Sequence, residues 1–271
     1  MSDQLYDLVP TDDPNVWRLP VTPEVCVGPA TMTPFMYGGL GLAAGIGAME
    51  RAVGRPLIWA SAQYLSFATI GDELELTVEV PSHGRTVSHT RVSGRVGDRE
   101  VITAVASLGA REGQLTKQWS HAPALPAPEQ CEVVELYPPQ GPDSRLSSRM
   151  EVRMPVGEIA AHRDHGVGSA SGKVNMWMRT TGSVEVDPGA LALFADQVPA
   201  AITMAMGKRG GGSSLDNTLR IVQQVPTTWV LCEIDAHGVG AGMGHGDIHM
   251  YAQTGELLGV GSQSCLLRYF D

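Results

Sequence analysis

The chain has 271 residues, 43% of them hydrophobic and 18% charged, the make-up of a globular protein with a sizeable core. Its formal net charge of -10 excludes the broad basic footprint that non-specific nucleic-acid binding requires, while leaving room for a small anionic ligand at a local basic patch. No uncharged apolar run is long enough to predict a membrane span.

The N-terminus, MSDQLYDLVPTDDPN, is acidic and lacks the apolar stretch of a secretory leader. The C-terminus, LLRYFD, matches no retention or peroxisomal address. Cys26, Cys131, Cys232 and Cys265 are far apart, with no CxxC, and are expected to be reduced and to pack as small hydrophobes. A cytoplasmic protein is the expectation.

A helix rich in small residues is predicted from about Phe35 to Val53. Strand-like runs follow at 57–67, 72–80, 86–96 and 100–109. Glu73–Val80 alternates polar and apolar residues, as a strand with one wet face does. Gly97-Asp98 marks a turn. Gly38, Gly41 and Gly45 share one helix face, where missing side chains allow a close approach by a curved sheet. Gly39-Leu-Gly41 resembles part of a dinucleotide loop, but the third glycine is misplaced and no apolar strand precedes it, so that reading is set aside.

His121 to Arg145 holds six prolines and reads as an extended linker. Beyond it the plan repeats. A second helix is predicted over 188–206, with strand-like runs at 214–224, 228–237, 246–253 and 257–268. The offset between the copies is roughly 155 residues, too few repeats for a solenoid and in keeping with a duplicated helix-then-meander unit. In the second helix, Asp196 is the sole charged residue between Asp187 and Lys208. A carboxylate in an apolar stripe either faces water or is buried with partners and a shifted pKa, and the second case marks it for chemistry. Pro199 cannot donate to the carbonyl of Ala195 and is expected to kink the helix beside Asp196.

Gly207–Ser213 is not a phosphate-binding loop of the Gly-Lys-Ser/Thr type and is expected to be a mobile connection. Gly238–Gly246 alternates glycine with other residues and is expected to be a flexible loop. His245, Asp247 and His249 alternate on one predicted strand face; two imidazoles and a carboxylate there could bind a metal, but a solvated outer face is the expectation. His162 and His165 are taken as surface residues. GxSxG is absent, which argues against a serine elbow.

Five segments together resemble one family. They are Tyr37-Gly38-Gly39, the stretch HGRTVSHTRV from His83 to Val92, Trp177-Met-Arg179 with Gly182 and Asp187-Pro188, Ser214-Leu-Asp-Asn-Thr218, and Gln263 five residues before Arg268. In order and spacing they are similar to the motifs of the acyl-CoA thioesterase II (TesB-like) double-hotdog family. The resemblance covers most of the chain outside the linker. It implies an α+β double hotdog, two tandem units each with a long central helix wrapped by an antiparallel sheet. The expected division is an N-terminal hotdog over 1–115, a linker over 116–147 and a C-terminal hotdog with the active site over 148–271.

The resemblance further implies that Asp196, Ser214 and Gln263 are catalytic, holding and activating a water that attacks an acyl-CoA thioester, with no covalent nucleophile. It implies no cofactor, and it implies a homo-oligomer. Gly38 and Gly39, at a helix start, are assigned to substrate binding. Lys208 and Arg209 are assigned to coenzyme A phosphates from charge and position. The chain departs from the family at Leu40, where a Gln is usual, and at Asn217, where a His is usual. The rival readings are a non-catalytic acyl-CoA or lipid binder on the same fold, and a hotdog hydratase or dehydratase. The second needs an active-site His, and neither predicted central helix carries one.

Overall fold

The computed structural model describes residues 7–28, 33–111, 113–136, 146–157, 166–182 and 185–269. His162 and His165 lie outside the described residues. The first half comprises β1 (Val9–Pro10), β2 (Val16–Pro20), β3 (Cys26–Val27), β4 (Phe35–Met36), α1 (Gly38–Val53), β5 (Leu57–Tyr64), β6 (Glu73–His83), β7 (Val87–Val96) and β8 (Arg99–Gly109). The second half comprises β9 (Glu132–Val134), β10 (Met150–Met154), β11 (Lys173–Thr180), α2 (Pro188–Ala195), α3 (Val198–Ala205), β12 (Gly210–Ser214), β13 (Asp216–Ile221), β14 (Val230–Gly240), β15 (Met243–Ala252) and β16 (Leu257–Tyr269).

Among the described residues one antiparallel sheet of 14 strands runs β1-β2-β6-β7-β8-β5-β13-β16-β15-β14-β11-β10-β9, with β12 also paired to β16. The two halves share one order. In each, a strand that follows the helix pairs with the last strand of the meander, β5 with β8 and β13, just after β12, with β16. The strands β5 and β13 then pair with each other, Asn217 opposite Ala62, and fuse the halves into one sheet.

Alternation decides which face of each strand turns inward. On β6, Leu74, Leu76 and Val78 are buried while Glu73, Glu75 and Glu79 are exposed. The buried faces close over the helices: α1 packs on β5 to β8, and α2 and α3 pack on the strands of the second half. The helices α1 and α2 also pack on each other. A Cβ on Gly39 would stand 3.0 Å from the Ala192 carbonyl oxygen and 3.0 Å from Leu193 Cα, so two backbones touch there. The close approach at this glycine is therefore helix on helix. Gly41 and Gly45 do face sheet side chains, Ile102 and Val92.

Several expected boundaries shift for local reasons. The helix expected from Phe35 begins at Gly38, because Phe35 and Met36 pair with Val27 and Cys26. The single helix expected over 188–206 is two, α2 and α3, with Pro199 in the first turn of α3. The strand expected at 214–224 is also divided. Leu215, between β12 and β13, donates its N–H to Ser264 and accepts from the N–H of Tyr64.

Both glycine-rich stretches expected as loops are paired strands. Gly210–Ser214 lies along β16, where a Cβ at Gly210 would fall 2.4 Å from the Arg268 carbonyl oxygen. Gly238–Gly246 belongs to the β14–β15 hairpin. Its two-residue loop, Ala241-Gly242, has φ of 52° and 78°. Positive φ at both positions matches the right-handed strand twist, the geometry of a type I′ turn.

The described part of the proline-rich segment, with Gln118 just before it, packs along the outer face of the second half. Trp177 Nε1 donates to the Pro126 carbonyl at 3.0 Å, Arg153 to the Pro128 carbonyl at 3.1 Å, and Leu257 N–H to Gln118 Oε1 at 2.8 Å. Beneath it Cys131, Trp177, Trp229, Leu231, Tyr251 and Leu257 form a second, smaller apolar cluster. Arg153 and Arg179 stack over Trp229 and share Glu151, whose pKa is lowered by those guanidinium contacts against the opposing effect of burial. All four cysteines are buried and none is in a disulfide. Among the described residues no helix is long and apolar enough to cross a membrane.

Ala241 is the single non-glycine residue with positive φ among those described. Asparagine tolerates that conformation better and is favoured at the first position of this turn. Ala241→Asn should raise stability by about 1 kcal/mol in chemical denaturation; a lower midpoint would contradict the turn assignment.

Candidate functional site

Asp196 sits where α2 ends. Its φ of -80° and ψ of 20° take it out of the helix, and Gln197 begins the next one. Since Pro199 has no N–H, the backbone cannot continue the α-helical ladder here, and the resulting step turns the Asp196 side chain inward. The carbonyl oxygen freed at the break accepts from the Tyr37 hydroxyl at 2.7 Å. Tyr37 in turn accepts from Gln197 Nε2 at 2.8 Å. Tyr37 immediately precedes α1, so a side chain of the first half satisfies the broken helix of the second.

Asp196 is 4% exposed, and its side chain has partners from three elements. Its Oδ2 accepts the Gly39 N–H, from the first turn of α1, at 2.6 Å. Its Oδ1 accepts the Ser214 hydroxyl, from the end of β12, at 2.8 Å. The same oxygen accepts Gln263 Nε2 from β16. Gln263 Nε2 also reaches Ser214 Oγ at 2.9 Å, which closes a triangle of polar groups. Gln263 Oε1 is buried and makes no hydrogen bond within the protein.

Burial is the largest influence on the carboxyl group and pushes its pKa up from 3.8 to about 6, against the opposing effect of the Gln263, Ser214 and Gly39 hydrogen bonds. The positive end of the α1 dipole lies at this same point. The result is a carboxylate held in one rotamer whose proton exchanges close to neutrality. A carboxyl perturbed in this way and held by specific partners is a candidate for function.

The structure thus brings Asp196, Ser214, Gln263 and Gly39 together. Gly38 belongs to the same site: a Cβ there would lie 2.9 Å from Asp196 Oδ2 and 3.3 Å from the Tyr64 ring. Leu40 is fully buried in the core. Lys208 and Arg209 are exposed and follow α3, where Gly207 at φ 64° ends the helix. His237 Nε2 lies 3.0 Å from Asp247 Oδ2 on the outer sheet face, and His245 bonds Ser264 there. Gln197 and Tyr64 carry no signal in the sequence, and Tyr37 stands there only as part of the Tyr37-Gly38-Gly39 motif, with no role of its own. Tyr64 shares a strand face with Ala60 and Ala62, two residues beyond Ala62, but no pattern distinguishes such a tyrosine from a core residue.

Comparison with known proteins bears on this site. A model of the acyl-CoA thioesterase C-terminal domain matches residues 128–267, and one of the acyl-CoA thioesterase N-terminal domain matches residues 27–109. A structure from Novosphingobium aromaticivorans DSM 12444, described as a candidate thioesterase, is 35% identical, with a TM-score of 0.86 over 96% of this chain and 98% of that one. The acyl-CoA thioesterase II TesB2 of Mycobacterium marinum is 19% identical, with a TM-score of 0.71 over 98% of this chain and 97% of its own. A conserved protein with a hot dog fold from Alicyclobacillus acidocaldarius is 18% identical, with a TM-score of 0.82 over 98% of this chain and 97% of its own. No curated protein matches the chain.

The environment of Asp196 makes a prediction that does not depend on any activity. Because its folded pKa lies above the free value of 3.8, the bound proton favours the folded state below pH 3.8, and that contribution is lost as pH rises through about 6. Carboxyl carbon NMR, assigned by difference from Asp196→Asn, should show a midpoint near pH 6. A midpoint at or below 3.8 would contradict the environment described.

Proposed function

The chain belongs to the acyl-CoA thioesterase family, and from that premise we propose that it hydrolyses acyl-CoA thioesters at Asp196, with water as the nucleophile. The fold reads as a double hotdog, with units over 1–115 and 148–271 joined by 116–147. The observation that carries the reading is the convergence of a buried carboxylate, a hydroxyl and a carboxamide on one point, each already oriented by another.

The acceptors suit a water. Asp196 Oδ1 is filled by Ser214 and Gln263, whereas Oδ2 holds one backbone donor and keeps acceptor capacity. Gln263 Oε1 is a second unfilled acceptor. A water donating to both has its lone pair directed away from them, toward a thioester carbonyl carbon. Asp196 takes one proton as the water oxygen bonds to that carbon, and the carbonyl electron pair moves onto its oxygen. When the pair returns, the carbon–sulfur bond breaks, and the departing thiolate takes the proton from Asp196. The products are a carboxylic acid and the coenzyme A thiol. A base with pKa about 6 is matched to this work near neutral pH. Ser214 and Gln263 act by positioning. Lys208 and Arg209, exposed beyond α3, are assigned to the phosphates of coenzyme A.

Free-thiol release from a panel of acetyl-, hexanoyl-, palmitoyl- and benzoyl-CoA should detect turnover. Binding without release on every member would favour a non-catalytic acyl-CoA binder instead. The kcat/KM should rise about tenfold per pH unit below 6 and level off above it, as loss of the Asp196 proton requires. Asp196→Asn should fold and lose about 10²–10⁴ in kcat. Full activity in that variant removes Asp196 from the mechanism.

A further inference from the structure

The junction of the two halves buries more polar atoms than the carboxylate triangle uses. Asn217 on β13 has no exposed surface, and neither its Oδ1 nor its Nδ2 has a hydrogen bond of good geometry. The Tyr64 hydroxyl, at the end of β5, is buried in the same condition. Asn217 stands opposite Ala62, and Ala62 and Tyr64 point to one face of their strand. Tyr64 and Asn217 are thus diagonal neighbours on the inner face, the face that carries the helices. Leaving such atoms unpaired in a core is costly, and a native structure retains them for a reason.

Their aim supplies one. A Cβ at Gly38 would stand 3.3 Å from Tyr64 Cζ, the carbon that bears the hydroxyl, and 2.9 Å from Asp196 Oδ2. Tyr64 and the carboxylate therefore converge on one spot at the start of α1. Burial first, and the Asp196 charge second, hold the Tyr64 phenol protonated well above its ordinary range; Asn217 acts in the opposite sense, as a donor to the phenol oxygen does. Tyr64 is thus a hydrogen-bond donor at every working pH, and Asn217 leaves its proton free to point elsewhere.

A thioester carbonyl needs such a donor as its oxygen becomes negative. Three of the first four N–H groups of α1 are already engaged. Gly39 N–H is taken by Asp196, and the N–H groups of Leu40 and Gly41 both go to the Tyr37 carbonyl, at 3.1 and 3.3 Å. We propose that Tyr64 is a catalytic residue of the hydrolysis, donating its hydroxyl hydrogen bond to the thioester carbonyl oxygen as the tetrahedral intermediate forms, and that Asn217 is the positioning residue that orients the phenol. The proposal rests on the thioester-hydrolase reading above. No atom is transferred to or from Tyr64: the hydrogen bond shortens as charge develops and lengthens as the carbon–sulfur bond breaks.

Tyr64→Phe keeps the ring and deletes the donor. It should lower kcat on the most rapidly cleaved acyl-CoA about 10²–10³-fold, with KM changed little and the inflection near pH 6 retained. Asn217→Leu keeps the volume; kcat should fall about tenfold while the melting temperature is not lowered, since no well-formed hydrogen bond is lost. A merely structural pair would show the reverse, a lowered melting temperature with kcat intact. Unchanged kcat in Tyr64→Phe overturns the proposal and leaves the thioesterase reading standing.

A second measurement is independent of turnover. Infrared spectroscopy with the octanoyl-CoA ketone analogue, CH2 replacing sulfur and 13C at the carbonyl, should show a lowered carbonyl frequency on the wild-type protein that returns toward the free value in Tyr64→Phe. An unshifted carbonyl, the same shift in both proteins, or no bound analogue overturns the Tyr64 assignment. Absence of thiol release from every acyl-CoA overturns the hydrolase reading, whatever the spectrum shows.

Discussion

The hydrogen bond from Gly39 N–H to Asp196 Oδ2 is the constraint on which the rest of the structure depends. A carboxylate buried among apolar helices is tolerable only with donors around it. The second half supplies two, Ser214 and Gln263, and the first half supplies the third from the start of its own helix. To deliver a backbone N–H there, α1 must approach α2 until main chains touch, and only a residue without a side chain permits that at position 39. The paired helices and the shared sheet are two aspects of one requirement. Each brings elements from different halves to the same few ångströms.

The break in the second helix follows from the same requirement. An unbroken helix would keep the Asp196 carbonyl in its ladder and direct the side chain along an apolar stripe. Pro199 has no donor for the Ala195 carbonyl, the ladder stops, and Tyr37 from the other half satisfies the next carbonyl, that of Asp196. The step leaves the carboxylate at the tip of α2, facing the tip of α1. Burial then raises its pKa to about 6, so a group that would be inert as a base in water holds and releases a proton near neutrality. Local strand geometry adds the rest: Ser214 ends β12 just before the divide at Leu215, and Tyr64 donates its backbone N–H across that divide.

Much of this was legible in the residues. Alternation over Glu73–Val80 reported the wet and dry faces of β6, and the single charge in the helix of the second half pointed to Asp196. The repeated order of helix and meander reported the duplication. Glycine was the poorest guide. Gly207–Ser213 and Gly238–Gly246 read as loops by composition, yet both lie largely in ladders, and at Gly210, Gly212, Gly244 and Gly246 neighbouring strands or α3 stand where side chains would be. Flexibility in an isolated chain and close packing in a folded one select the same residue. The proline-rich segment was equally silent about its surroundings, since nothing in its own residues reports that Trp177 and Arg153 donate to its carbonyls.

By itself the sequence determined the periodicities, the helix-breaking proline, the isolated carboxylate and the family to which its motifs belong, because each is a property of residues near one another in the chain. The tertiary structure decided what surrounds the carboxylate. Gly39, Asp196, Ser214 and Gln263 come from α1, the end of α2, β12 and β16, and no local pattern encodes that they meet. It also decided that Tyr64 and Asn217 face the same spot from adjoining strands of different halves. The pKa of Asp196 belongs to that second category. It is set by how much water the two halves exclude and by which donors remain, quantities that exist only once the sheet has closed over its helices.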